Sequence, residues 1–304
     1  MIFNEMITTL TTAAAPAYPA IPDFVWILLI VSAVLCCMGF YKFVWFMSVG
    51  YGLSTAGIGA TLAILSIVRG EASVLSLIQC GIMVIYGFRL GGFLLIRELK
   101  NEAYRKKLAE AGGEAKMPIF VMAFMWIFCA VLYLLQSSAA IYRLGNEATN
   151  GNDVCFIIGI VISALGVLLE ALSDKQKSAQ KKTNPNMPAM EGLFKMCRCP
   201  NYFGEILFWT GMFVSGIQIY QGTQWILAIL GYILIVGIML SGAKRLETRH
   251  IKHYGGKPEY EAYANKTPLI FPLIPLYHMV TPESIAKDEA KKAAKAAEKA
   301  AKKD

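Results

Sequence analysis

Long, unbroken apolar runs dominate this chain and leave it few possible folds. Seven segments read as membrane crossings: roughly 24–40, 44–68, 74–96, 119–141, 155–172, 203–219 and 225–242. A spanning helix needs about 20 predominantly apolar residues. In hydrocarbon, each backbone N–H and C=O must find its partner inside the segment, which a helix provides. The runs are continuous rather than alternating, which argues against a transmembrane β-barrel. Composition points the same way. The 304 residues are 56% hydrophobic and only 16% charged, where soluble domains carry roughly 25% charge. The expected fold class is therefore all-α, a polytopic membrane protein with about seven transmembrane helices.

Charge in the connections supports that count and predicts an orientation. No Lys or Arg precedes the first span, and Lys42 follows it. Arg69 is then balanced by Glu71, and Arg97, Lys100, Arg105, Lys106, Lys107 and Lys116 follow the third span. Arg143 stands against Glu147 and Asp153. Lys175, Lys177, Lys181, Lys182 and Lys195 then precede an uncharged 220–224 connection and a basic C-terminal segment. Positive charge thus falls on alternate connections, placing the N-terminus outside and the C-terminus in the cytoplasm. The expected location is a bacterial inner membrane. No basic n-region opens the chain, so no cleaved signal peptide is expected.

The net charge of +8 is read as topology and attraction to anionic membrane lipids rather than nucleic acid. Residues 1–282 are expected to form a single integral membrane domain, with 243–282 as its cytoplasmic end. Within that end, LIFPLIPL at 269–276 is too short and Pro-broken to cross. Residues 283–304 form a Lys/Ala tail, flexible or an isolated helix. Of seven cysteines, five lie in apolar runs and read as small buried hydrophobes. Cys197 and Cys199 flank Arg198, but the three histidines show no ligand spacing with them, so no metal site is expected.

Ionisable or hydrogen-bonding groups at the edge of a span are costly and mark candidate sites. Tyr86 and Arg89 in IYGFRLGGFLLIRE are three apart and share a helix face. Gly87, Gly91 and Gly92 leave room for a close neighbour. Arg97, further along, also fits a side chain reaching back to the interface. Glu170 and Asp174 share a face where the fifth span ends, and the lysines that follow suit headgroups or phosphates. CPNYFGEILFWTG at 199–211 puts Pro200 in a helix's first turn, with Asn201, Tyr202 and then Glu205 at the mouth of an apolar span. A carboxylate there needs a partner or a ligand. Glu247, His250 and Tyr254 share a face after the last span, and this region could equally be an interfacial anchor.

CPNYFGEILFWTG, an apolar span and then RLETRHIKHYGGKPEYEAYANKTPLIFPLI together resemble the C-terminal domain of steroid 5α-reductases, and still more the bacterial membrane proteins related to them. The resemblance covers about 155–275 and extends plausibly back to about 74. It implies a fold shared with isoprenylcysteine methyltransferases, NADPH entering from the cytosol, and an apolar lipid or steroid-like substrate entering from the bilayer. Hydride would pass to the C=C bond of an α,β-unsaturated ketone. By the resemblance, Tyr86 donates to the ketone oxygen and Arg89 and Arg97 serve the cofactor. Asp174 helps hold its nucleotide end. Asn201, Tyr202 and Glu205 belong to the NADPH motif, and Glu247, His250 and Tyr254 match more loosely. One departure stands out: the reductases carry a catalytic glutamate on the second span, and 44–68 contains no acid.

Two other functions fit the same residues. One is an S-adenosylmethionine-dependent methyltransferase, whose motif usually has Arg-His-Pro where this chain has Arg198-Cys199-Pro200. The other is a non-enzymatic lipid-binding protein, against which the gathering of polar groups argues. The sequence leaves substrate identity and oligomeric state open.

Overall fold

A computed structural model describes residues 18–100, 117–149 and 153–301. Arg105, Lys106, Lys107 and Lys116 of the basic connection lie outside the described residues. So do the first 17 residues of the expected membrane domain and the last three of the tail. Among the described residues every regular element is helical. In chain order these are α1 (Val25–Cys36), α2 (Met38–Tyr41), α3 (Val49–Val68), α4 (Val74–Lys100), α5 (Ile119–Gln136), α6 (Ser138–Gly145), α7 (Val154–Thr183), α8 (Pro200–Val214), α9 (Thr223–Tyr254), α10 (Pro258–Lys266) and α11 (Pro282–Ala301). Short 3-10 turns occupy Phe43–Met47 and Gly192–Lys195.

Among the described residues, five stretches are long and apolar enough to cross a membrane: Phe43–Val68, Val74–Lys100, Ile119–Gln136, Val154–Thr183 and Thr223–Tyr254. The other two expected crossings fold as shorter helices. The first is interrupted at Cys37, between α1 and α2. In the other, α8 stops at Val214, and the apolar residues after it form tight turns in which Gly216, Ile217 and Ile219 donate three residues back. The fifth and seventh expected crossings continue as helix well past their apolar parts, to Thr183 and Tyr254. The fourth expected crossing breaks at Ser137, between α5 and α6.

Local chemistry sets the helix starts. Ser73 and Ser76 cap α4 reciprocally, each hydroxyl accepting from the other's backbone N–H at 2.9 and 3.1 Å. The Asp153 carboxylate accepts from Phe156 N at 2.7 Å and caps α7. Thr281 and Ser284 make the same reciprocal cap on α11, and Pro258 opens α10. The end of α9 passes through Gly256 at φ +79°, which only glycine adopts freely.

The chain divides into two compact units: Met1–Val167 with Leu207–Ile235, and Leu168–Ile206 with Val236–Asp304. In the first, α3 and α4 meet backbone to backbone at Gly52, Gly87 and Gly91. A Cβ on Gly52 would stand 2.6 Å from the Gly87 carbonyl oxygen, and one on Gly87 would stand 2.3 Å from the Gly52 oxygen. Gly92, expected to share this contact, faces open space. The other side of α4 exposes Ile85, Phe88 and Ile96, as suits a helix solvated by lipid. A fully buried Arg143 donates to Asp153 at 3.0 Å and to the carbonyls of Ala148 and Ser215, with its guanidinium 3.6 Å from the centre of the Phe156 ring. In the second unit, residues 269–276 do not span. Leu269 donates to the Leu276 carbonyl at 2.7 Å and is buried with Ile270, while Leu273 is exposed.

Candidate functional site

In the first unit, Tyr86 is fully buried at the centre of an aromatic cluster. Phe208 stacks on its ring with centroids 3.8 Å apart and planes 11° from parallel, and Trp209 meets it edge-on. The Tyr86 hydroxyl lies 2.9 Å from that of Tyr51, to which the Trp209 indole N–H donates. The Tyr51 ring also leans on Tyr133, at 5.1 Å, and Tyr133 donates to the Phe46 carbonyl at 2.6 Å. Indole nitrogen can only donate. Tyr51 therefore receives one hydrogen bond and can pass its own proton to the Tyr86 oxygen. Tyr51 is a residue the sequence reading missed. It sits on α3, the helix with no carboxylate, and supplies a buried hydroxyl partner to Tyr86.

The arginines on the same helix differ in setting. Arg89 is half-buried one turn beyond Tyr86. Arg97 lies over the Phe93 ring at 5.1 Å, the reach-back geometry read as one of its alternatives. Its neighbour Glu98 is buried, held by Lys42 at 2.6 Å and the Trp45 indole at 2.8 Å.

The other candidates lie in the second unit. Pro200 starts α8, so Asn201 falls in its first turn and Glu205 one turn on. The Asn201 carboxamide oxygen is buried and accepts no hydrogen bond among the described residues. Glu205 is buried too. The Tyr202 ring lies against Gly242, where a Cβ would stand 3.4 Å from the phenol ring. Asp174 is half-buried on α7. A buried acceptor without a donor suits a ligand N–H, such as the carboxamide of nicotinamide, so these residues fit the cofactor that the resemblance implies.

Glu247, His250 and Tyr254 keep their shared face, but two of them are engaged inside the chain. Glu247 is fully buried. One of its carboxylate oxygens accepts from Arg198 at 2.7 Å and lies 3.1 Å from His278 Nδ1. The other accepts from the backbone N–H groups of Met279 and Val280. The Tyr254 hydroxyl accepts from Lys181, which also donates to the carbonyls of Pro185 and Met187. That ammonium has three protons and uses all three, so Lys181 is a brace for the 185–187 loop rather than a free cation for phosphates. His250 sits edge-on between the Tyr254 and Tyr260 rings. Cys197 and Cys199 are buried, and burial pushes both thiols up to about 12. Among the described residues no three His, Cys, Asp or Glu side chains gather to hold a metal ion.

Comparison with known proteins bears on this arrangement. The family described as "Protein of unknown function (DUF1295)" matches residues 25–267, most of the chain. The chain belongs to this family. The DUF1295 chain is also similar to the protein named steroid 5-alpha-reductase DET2 of Arabidopsis thaliana, at 29% identity over 102 residues. That stretch is 33% of this chain and 39% of the relative, so the match spans about two fifths of the relative's length. No solved structure matches. The likeness to steroid 5α-reductases first seen in residues 199–211 is thus supported by a comparison that does not depend on choosing a motif.

Proposed function

We propose that this DUF1295 protein is an NADPH-dependent membrane reductase acting on the C=C bond of an apolar α,β-unsaturated ketone. The observation that carries the reading is the buried Trp209–Tyr51–Tyr86 hydrogen-bond chain. It is a preorganised donor in a water-poor setting, which is what stabilising an enolate oxygen requires. As the bond is reduced, negative charge grows on the ketone oxygen. A hydrogen bond from Tyr86 strengthens with that charge, so it favours the transition state over the ground state. Tyr51 acts through Tyr86, as a positioning residue: a donated proton from Tyr51 polarises the Tyr86 hydroxyl and fixes its direction. Phe208 and Trp209 keep water from the phenols.

The cofactor would supply the hydride. Asn201, with its unmatched acceptor, and Glu205 would hold the nicotinamide end. Asp174 would hold the nucleotide end, with Tyr202 and His250 as further contacts. Family membership and the likeness to a protein named as a steroid 5-alpha-reductase support this reading.

Calorimetry on the detergent-purified chain tests it. NADPH should bind, and Asn201→Ala should weaken binding by about 1–3 kcal/mol, the cost of a lost buried hydrogen bond. Binding of S-adenosylmethionine with none of NADPH would replace the reductase by a methyltransferase. Binding of neither would leave a lipid-binding protein.

A further inference from the structure

Two thiols from helices far apart in sequence meet inside the first unit. Cys36 is the last residue of α1, Cys129 lies on α5, and both are fully buried. Hydrogen bonds pin the two helices together on both sides of Cys129. The Ser32 hydroxyl donates to the Ala130 carbonyl at 3.3 Å, and the Trp126 indole donates to the Ala33 carbonyl at 2.8 Å. These pairs make α1 and α5 antiparallel. Each side chain tilts toward the start of its own helix, so Cys36 reaches back to the level of Cys129. The Phe46 carbonyl marks the same spot. The Cys36 sulfur lies 3.8 Å from its oxygen, and Tyr133, one turn after Cys129, donates to it at 2.6 Å. There the Cys36 and Cys129 thiols hydrogen-bond to each other. Cys80 and Cys155, also buried, have no such thiol neighbour among the described residues.

We infer that Cys36 and Cys129 are a redox modification site, closing to a disulfide when a lipid hydroperoxide oxidises them. Space decides the kind of modification. A Cβ on Gly50 would stand only 3.5 Å from the Cys36 sulfur, so a bulky adduct does not fit beside it. A disulfide adds no atoms and removes two hydrogens. Surroundings decide the oxidant, since thiols inside an apolar segment share their phase with peroxidised lipid. One sulfur attacks the peroxide, the O–O bond breaks, and an alcohol leaves with the thiol's proton. The sulfenic acid formed is attacked by the second sulfur, an S–S bond forms, and its hydroxyl departs as water with the second proton. Two thiols and one hydroperoxide thus become a disulfide, an alcohol and a water. With the partner sulfur in contact, the sulfenic acid is captured before it oxidises further. Entry needs only a local opening, because α1 ends at Cys36 and Cys37 is exposed. The bond would join α1 to α5 covalently, and a thiol reductant would undo it.

Thiol mapping tests the site without NADPH or turnover, so it stands apart from the reductase reading. The full chain in lipid vesicles is first treated with N-ethylmaleimide to block exposed Cys37. Cumene hydroperoxide is then added, the protein is unfolded in SDS, and the remaining thiols are alkylated with isotopically heavy maleimide. Peptides are mapped by mass spectrometry without reduction. A peptide linking Cys36 to Cys129 should appear, and those two positions should lose the heavy label while Cys80, Cys155, Cys197 and Cys199 keep it. Dithiothreitol added before unfolding should restore the label at both. In Cys129→Ser the linked peptide should vanish, and Cys36 should pair with no other cysteine. Full heavy labelling of Cys36 and Cys129 after peroxide would overturn the proposal. So would their recovery as sulfinic acids, or a bond from either to a different cysteine. If the variant fails to fold, the wild-type map still decides, because it needs no substitution.

Discussion

A phenol hydrogen-bonded to a second phenol answers to mutation differently from one that stands alone. Tyr86→Phe removes the hydroxyl and keeps the ring that Phe208 stacks on. Turnover of an enone should fall by about 10²-fold, the order for a lost oxyanion donor, with NADPH affinity nearly unchanged. Tyr51→Phe should cost about tenfold in turnover, one neutral hydrogen bond's worth. The double variant should cost little more than Tyr86→Phe alone, because Tyr51 acts only through Tyr86. Multiplicative losses in steady-state kinetics would show two independent roles. The thiols give a second test at this scale. With Cys197 and Cys199 buried and pushed up to about 12, both stay protonated at pH 8. Maleimide should modify neither in the folded protein and both after unfolding in SDS, as counted by mass spectrometry. Tyr86 was legible in the sequence because its three-residue spacing to Arg89 marks a polar helix face. Tyr51 was not. A search for charges inside spans passes over a tyrosine, and only the fold shows that its hydroxyl meets that of Tyr86.

At the scale of elements, the α3–α4 contact depends on missing side chains. Gly87→Val should destabilise the protein by about 1–3 kcal/mol, the usual cost of overpacking, because its new atoms meet the α3 backbone rather than a movable side chain. Gly92→Ala, one helical turn and a half further on, meets nothing within 4 Å. It should stabilise by about 0.5–1 kcal/mol through helix propensity alone. Thermal unfolding in detergent, followed by circular dichroism, separates the two; equal shifts would remove the glycine contact from the argument. The sequence showed that these glycines permit a close neighbour. It did not show which of them use that freedom, since a face is assigned only once the partner helix is in place. The same limit explains the two shortened crossings. Apolar residues through 215–219 read as span, yet they close into turns whose backbone hydrogen bonds are local.

For the whole molecule, the alternating basic connections predict that the α6–α7 and α7–α8 connections lie on opposite sides of the membrane. Single cysteines at Glu147 and Lys182, both exposed, should react with a membrane-impermeant maleimide from opposite faces of intact vesicles. Lys182 is preferred to its neighbour, because all three Lys181 protons are in use. Labelling of both positions from one face would overturn the orientation. The membrane class was legible at this scale because hydrocarbon length and hydropathy act on single segments. The Arg198–Glu247 pair was not, because it joins positions 49 residues apart that no local period connects.

That pair also bears on how the chain is made. Arg198 leaves the ribosome 49 residues ahead of Glu247 and 79 ahead of the Tyr277 carbonyl that completes its contacts. Until then a guanidinium destined for near-complete burial has neither its carboxylate nor its carbonyl, and α9 must be synthesised before the charge can be neutralised. A chain that stalls or is truncated in this interval carries an unmatched cation next to apolar helices, a mark by which membrane proteases can distinguish an unfinished copy from a finished one.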